Sequence, residues 1–99
     1  MRNIPLTVRP PVDGSPFPGH VNDRNVLKQV VSMPTNGLTL EGMRRGLKIL
    51  DALDAADGTI ELADAQWEFL CDCIRNFRWA VADQRFLALS DSVLNAPET

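Results

Sequence analysis

Proline is distributed unevenly along this chain of 99 residues, and its distribution divides the chain into two parts. Five of the seven prolines lie within the first 18 residues, most of them in the run RPPVDGSPFPG. Proline lacks a backbone N–H and clashes with the preceding turn of a helix, so this part of the chain cannot be helical. The sequence therefore predicts an extended N-terminal arm over residues 1–21, followed by a helical domain over residues 22–96.

The arm carries the pattern of a short strand. Ile4, Leu6 and Val8 alternate with polar residues or proline, and a proline inside such a run restricts the strand to the edge of a sheet. The pair Asp13-Gly14 further along is a turn signal. We therefore expect the arm to form a short strand or a hairpin.

Apolar residues recur at helical spacing after residue 22, and they predict four helices joined by short connections. The predicted starting residues are, in chain order, Asn22 or Asp23, Thr39, Ala63 or Asp64, and Asp83. Helices with short connections pack against one another around a common core. The predicted fold class is mainly α, a small bundle of about four helices with a proline-rich N-terminal arm.

The second predicted helix has the most regular pattern in the chain. Its apolar residues form one stripe at helical spacing: Leu40, Met43, Leu47, Leu50 and Leu53. A stripe of this kind is typical of the side of a helix that faces a core. Gly42 and Gly46 lie in the same helix, where each lowers stability by roughly 1 kcal/mol relative to alanine unless another element packs closely there.

The stretch LDAADGTIELAD, residues 53–64, resembles the middle of an EF-hand calcium loop. When Gly58 is aligned with the glycine at the sixth position of such a loop, the first and third ligand positions become Leu53 and Ala55. Too few oxygen ligands remain for calcium, so no metal site is predicted. The stretch is better interpreted as a corner between two helices, with a left-handed glycine and an extended link over residues 59–62 whose apolar side chains face the core.

Residues with catalytic or redox chemistry are sparse. His20 is the only histidine, and it lies in a polar loop. Cys71 and Cys73 stand two apart in a predicted helix, a spacing that differs from the redox motif CxxC. No phosphate-binding glycine loop and no nucleophile motif is present. The sequence therefore predicts a protein that is not an enzyme and that needs no cofactor.

Charge is distributed asymmetrically. Residues 1–50 carry a net charge of +4 and residues 51–99 a net charge of −7. Two clusters follow each other at the second helix: a basic face of Arg44, Arg45 and Lys48, and an acidic face of Asp51, Asp54 and Asp57. They are interpreted either as solvated faces or as complementary surfaces, through which the acidic face of one copy meets the basic face of another.

The candidate partner-binding residues are apolar side chains of the arm and one tryptophan. An arm too rich in proline to fold alone is suited to lie across a neighbouring subunit, and its anchors would be Ile4, Leu6, Val8 and Phe17. Trp79 lies in the break before the last predicted helix. A tryptophan at the boundary of a core suits an interface.

Membrane and nucleic-acid partners are disfavoured. No apolar run approaches the ~18–20 residues that a membrane span requires, and the N-terminus has no continuous apolar region typical of a signal peptide. The acidic half of the chain would repel phosphates, and the second helix has more apolar surface than a DNA recognition helix.

Two stretches, MRRGLKILDALDAADGTIELADAQWEFL and WAVADQRFLALSDSVLNA, resemble small proteins encoded by tailed bacteriophages and prophages. The resemblance covers roughly residues 40–96 and consists of helix patterns and caps, so it transfers no site residue. It implies a protein that acts in the host cytoplasm or is built into the virion.

Two functions follow as hypotheses. The first is a non-enzymatic protein that associates with other copies of itself or with other phage proteins, as a virion component or an assembly factor of the head–tail or tail module. The alternative is a small regulator or inhibitor that binds a host protein, with the acidic face as its contact.

Overall fold

The computed structural model describes residues 1–34, 37–79 and 81–97. The helices in these residues are α1 (Asp23–Ser32), α2 (Leu40–Ala55), α3 (Asp64–Asn76) and α4 (Gln84–Leu94). The strands are β1 (Arg2–Pro5), β2 (Val8–Arg9), β3 (Val21–Asn22) and β4 (Thr59–Leu62). The prediction of about four helices is confirmed, with 53% of the described chain helical. Two antiparallel sheets of two strands each accompany the helices, so the fold is mixed α/β and not a purely helical bundle.

The first sheet joins the N-terminal segment to the connection between α2 and α3. Strand β1 pairs antiparallel with β4, and Ile4 lies opposite Ile60. Because side chains alternate across a strand, Ile60 and Leu62 share the buried side of β4. The extended link predicted for residues 59–62 is therefore a strand, and the inward orientation of its apolar side chains is confirmed. The strand predicted near the N-terminus is also present.

The second sheet ties the N-terminal segment to α1. Strand β2 pairs with β3, and Val8 lies opposite Asn22. Asp23, the first residue of α1, is fully buried beside this sheet. Its carboxylate accepts a hydrogen bond from the Thr7 hydroxyl at 2.9 Å and pairs with Nε of Arg9 at 3.0 Å. A carboxylate tolerates such burial when its oxygens have charged and polar partners.

The helices start where capping chemistry predicts. The side chains that accept a hydrogen bond from the first turn belong to Asn22 in α1, Thr39 in α2 and Asp83 in α4. Helix α3 begins after Ala63, whose N–H donates to Oε1 of Gln66 at 3.2 Å. Each of these bonds satisfies a backbone N–H at the start of a helix, where no acceptor exists within the helix.

One core collects side chains from β1, β4 and all four helices. Its members are Ile4, Leu27, Val30, Val31, Ile49, Leu53, Ile60, Leu62, Leu70, Cys71, Ile74, Leu89, Val93 and Ala96. The N-terminal segment and the helical segment thus share a single core.

Helix α2 presents a different side to the core than its leucine stripe suggests. Its buried residues are Gly42, Gly46, Ile49 and Leu53. The side chains of Leu40, Met43 and Leu47 are 66%, 48% and 55% exposed. The expectation that the whole stripe faces the core is therefore wrong for these three residues.

Close packing of α1 explains the orientation of α2. A Cβ atom added at Gly46 would lie 3.3 Å from Cγ1 of Val31, and one added at Gly42 would lie 3.3 Å from the Leu38 side chain. A Cβ atom at position 46 would therefore require the Val31 side chain to shift by a few tenths of an ångström, and a larger side chain would require more. At Gly46 the glycine side therefore approaches α1, and the leucines on the opposite side of α2 remain outside.

The corner between α2 and β4 has the geometry predicted for it. Gly58 has φ of +78°, in the left-handed region that glycine adopts without strain. Its carbonyl accepts from the N–H of Leu6 at 2.8 Å, which fixes the corner to the N-terminal segment. Within residues 1–34, 37–79 and 81–97, no three His, Cys, Asp or Glu side chains are grouped so that they could hold a metal ion.

Candidate partner-binding surfaces

A buried arginine holds the proline-rich loop onto the helical part of the molecule. Arg85 is 4% exposed and lies in the first turn of α4. Its guanidinium donates hydrogen bonds to the carbonyls of Pro10, Phe17 and Gly19 at 3.0, 2.8 and 2.6 Å. It also forms an ion pair with Asp83 at 2.8 Å. The loop that carries Phe17 is therefore fixed in place and does not extend away from the body.

The Asp83–Arg85 pair is ionised throughout the neutral range. The hydrogen bond from the Arg85 side chain, followed by one from the Ser15 hydroxyl, holds the pKa of Asp83 well below its usual range. The same hydrogen bond, which the Arg85 guanidinium donates to the Asp83 carboxylate, raises the pKa of Arg85. The charged state of this pair is thus part of the folded structure.

We call Arg85 and its hydrogen bonds to the loop the Arg85 clamp. Four aromatic rings cluster next to it. Phe17 packs edge-on against Phe86 with ring centroids 5.6 Å apart. Trp79 stacks on Phe86 at 5.2 Å and meets Phe77 edge-on at 4.8 Å. The structure thereby brings together Phe17 and Trp79, two of the residues that the sequence singled out separately as partner contacts.

A groove of about 460 Å³ opens beside the aromatic cluster. Its apolar walls include Val26 of α1 together with Phe17 and Trp79, and polar groups of Asn25 and Gln29 lie along it. Pockets of this size with apolar walls and a few polar groups are typical binding sites. The groove could accept one apolar side chain of a partner.

The other predicted anchors of the arm lie in different environments. Ile4 is fully buried in the core of its own chain, so it does not form a surface that a neighbour can contact. Leu6 is partly buried against the same core. Val8 is 58% exposed. The anchor role predicted for Ile4 therefore does not fit this structure, because β1 is already paired with β4.

The outward side of α2 carries the largest exposed apolar residues of the helix. We define the α2 face as Leu40, Met43, Arg44, Leu47 and Asp51. Successive residues of a helix are about 100° apart, which places these five opposite the buried glycine side. All five are exposed, and the three apolar ones follow a spacing of three and four residues.

Ion pairs divide the charged residues of α2 into two groups. Arg45 pairs with Glu41 at 3.3 Å, and Asp54 pairs with Lys28 of α1 at 2.6 Å. In the described part of the chain, Arg44, Lys48 and Asp51 have no ion pair. These three charges are therefore free to meet a partner.

The predicted acidic face is less continuous than its spacing suggests. Asp51 and Asp54 lie on α2, and Asp57 lies in the turn after it. All three are exposed, but Lys28 compensates the charge of Asp54. The trio does not form a uniformly acidic surface.

Both cysteines are poor nucleophiles. Cys71 is buried and Cys73 is half-buried in α3. Burial raises the pKa of both thiols, which lowers the fraction of thiolate at neutral pH.

Arg85 and Phe86 are the site residues that the sequence interpretation did not single out. Neither residue carried a functional expectation. One signal could have found Arg85. The prolines of the arm supply no N–H groups, so the neighbouring carbonyls depend on side-chain donors, and an arginine beside a capping aspartate can provide several.

Comparison with known proteins assigns neither a family nor a function to this chain. No family model, curated protein or solved structure matches the chain significantly. None of the helices in the described residues has both the length and the hydropathy required to span a bilayer. The function is therefore inferred from the surfaces of the molecule.

Proposed function

We propose that this protein acts by protein–protein association, as a virion component or an assembly factor of the head–tail or tail module of a tailed bacteriophage. Catalysis and a cofactor have no part in this function. The observation that carries the proposal is the α2 face, on which Leu40, Met43 and Leu47 are between 48% and 66% exposed. Single exposed leucines are common on protein surfaces, but several on one side of a helix are typical of an interaction site.

The phage resemblance supports the same proposal. It covers roughly residues 40–96, which include the whole α2 face. The expected partners are other copies of this chain or other phage proteins, in the host cytoplasm or in the virion. A nucleic-acid partner is disfavoured, because Arg44 shares the face with Asp51 and with apolar side chains that do not bind phosphate.

The aromatic groove offers a second contact in the same association. Phe17 and Trp79 form its walls, and the Arg85 clamp holds Phe17 in place. A rigid aromatic anchor loses little conformational entropy on binding, which favours a role at an interface.

The test uses virions and assembly intermediates purified from cells that carry the encoding prophage. Leu47→Glu places a charge on the α2 face, while Met33→Glu places the same charge at the end of α1, on a side chain that is 60% exposed and lies outside both this face and the aromatic groove. We expect mass spectrometry to find wild type and Met33→Glu in the particles or intermediates, and Leu47→Glu to be depleted there.

Other outcomes would change the proposal. Equal amounts of all three proteins in the particles would show that the α2 face is not the contact surface. Absence of the wild type from every phage assembly, together with recovery of one stoichiometric host protein, would favour the host-binding regulator.

A further inference from the structure

The charges on the α2 face have a symmetric arrangement. Arg44 and Asp51 lie seven residues apart, two turns along α2, and both point outward. They are equidistant from the midpoint between Leu47 and Lys48. Neither has an ion pair in the part of the chain that the structure describes.

We propose that the α2 face is the two-fold interface of a homodimer, in which the α2 helices of two copies pack antiparallel with Leu47 next to the axis. The inference rests on the proposed function in that it names a partner for the same face. A two-fold axis at the midpoint sets Arg44 of each copy beside Asp51 of the other. Two equivalent ion pairs then flank a centre in which Leu47 and Lys48 of each copy lie equally close to the axis.

The opposite orientation of the helices is disfavoured by the same charges. In a parallel pairing at this register, Arg44 would face Arg44 and Asp51 would face Asp51. Juxtaposed like charges suppress such an arrangement. The charge pattern thus selects the antiparallel pairing.

Apolar contacts provide one side of the centre of the proposed interface. The two Leu47 side chains meet on this side of the axis, and Met43 lies on the same side, next to half-buried Leu50. The two exposed Lys48 side chains lie on the other side of the axis, where their ammonium groups extend into solvent. Gly46 and Ile49 remain in the core of their own chain. The patch is small, so a weak dimer that dissociates on dilution is expected. High salt weakens it further by screening the two ion pairs.

The experiment is sedimentation equilibrium of the full chain and of charge-reversed variants. Arg44→Asp and Asp51→Arg each create two like-charge contacts across the axis. Both residues are exposed, so the variants are expected to fold, and circular dichroism checks this. Each single reversal should weaken dimerisation by on the order of a hundredfold. Arg75→Asp, an exposed charge reversal on α3, is the control and should dimerise as the wild type does.

A mixture of the two single variants gives the sharpest test. In an antiparallel heterodimer, one copy supplies two acidic side chains and the other two arginines, so both ion pairs form again. We expect an equimolar mixture of Arg44→Asp and Asp51→Arg to dimerise although neither variant does so alone. The double variant Arg44→Asp/Asp51→Arg should also dimerise.

Several results would overturn the homodimer. A wild type that stays monomeric at all concentrations and salts would do so, as would a dimer unaffected by either reversal or an assembly larger than a dimer. These results are separable from those on the proposed function. A monomeric wild type whose Leu47→Glu variant is still depleted from particles would refute the homodimer alone. A dimer that enters no phage assembly would refute the proposed function alone.

Discussion

At the residue scale, the most consequential side chain is Arg85. A loop with prolines at its ends leaves carbonyl groups without N–H partners, and three such carbonyls point to the Arg85 guanidinium. A planar guanidinium can serve several acceptors at once, which an ammonium group does less well. Asp83 compensates its charge while capping α4. One residue pair therefore fixes a helix start and a loop together.

Acid is expected to release this clamp. The pKa of Asp83 is lowered in the folded state, so its charged form stabilises the fold. That contribution is complete above the ordinary carboxyl pKa of about 4 and is lost as the pH falls toward the lowered value. Asp83→Asn keeps a good cap but removes the charge. We expect the difference in unfolding free energy between wild type and Asp83→Asn to be largest at neutral pH and to shrink below about pH 4.

Urea unfolding at a series of pH values measures this difference. Ser15→Ala serves as a graded control, because it removes the second-largest cause of the lowered pKa and leaves Arg85 in place. Its effect should have the same direction as that of Asp83→Asn and be smaller. A difference that stays constant from neutral pH to pH 2 would contradict the role given to the Asp83 charge.

At the scale of the elements, strand β1 of the N-terminal segment is part of the core. Ile4 is fully buried where β1 meets β4, whereas Val8, four residues later, is 58% exposed. The two positions alternate with proline and polar residues in the same way. The burial of Ile4 depends on β4, which lies more than fifty residues further along the chain.

Truncation of these two side chains should have unequal effects. Ile4→Ala leaves a cavity in the core and is expected to lower the unfolding free energy by about 2–5 kcal/mol. Val8→Ala removes an exposed side chain, so a change within about 0.5 kcal/mol is expected. Chemical denaturation of both variants measures the difference. Similar small losses in both would mean that β1 does not belong to the core.

The contact between α1 and α2 depends on the absence of a side chain at Gly46. Gly46→Val would force its methyl groups against Val31, and overpacking of this kind is expected to lower the unfolding free energy by about 1–3 kcal/mol. Thermal unfolding of the variant measures the loss. Ala65→Val on the exposed side of α3 is the control for introducing a valine into a helix. Equal stability of the two variants would show that α1 and α2 do not approach closely at Gly46.

At the scale of the whole molecule, several contacts join the basic first half of the chain to the acidic second half. Lys28 pairs with Asp54, and Arg2 pairs with Asp64 at 3.3 Å. The charge polarity is therefore compensated in part within the fold. On α2, Arg44, Lys48 and Asp51 have no ion pair in the described part of the chain, and the proposed dimer brings Arg44 and Asp51 together.

The shared core predicts that the N-terminal segment and the helices unfold as one unit. Far-UV circular dichroism follows the helices, and amide hydrogen exchange follows the residues of β1 that pair with β4. We expect the exchange of these β1 amides to require nearly the full free energy of global unfolding. If the β1 amides exchange rapidly while circular dichroism shows that the helices are still folded, the arm and the helices are separate units.

The sequence alone predicted the features that depend on neighbouring residues. Asn22, Thr39 and Asp83 cap helices, and residue 58 is a left-handed glycine, because each effect acts within one turn of chain. The alternation in residues 59–62 likewise showed which side chains face inward.

The tertiary structure alone decided which side of α2 became the core side. Leu47 looked better suited to the core than Gly46 by hydropathy, yet Gly46 is buried and Leu47 is exposed. The close approach of Val31 across the helix pair outweighs the hydropathy of a single helix, and no local pattern records it. For the same reason, the clamp of Arg85 on the N-terminal loop emerged only when residues about seventy positions apart were brought together.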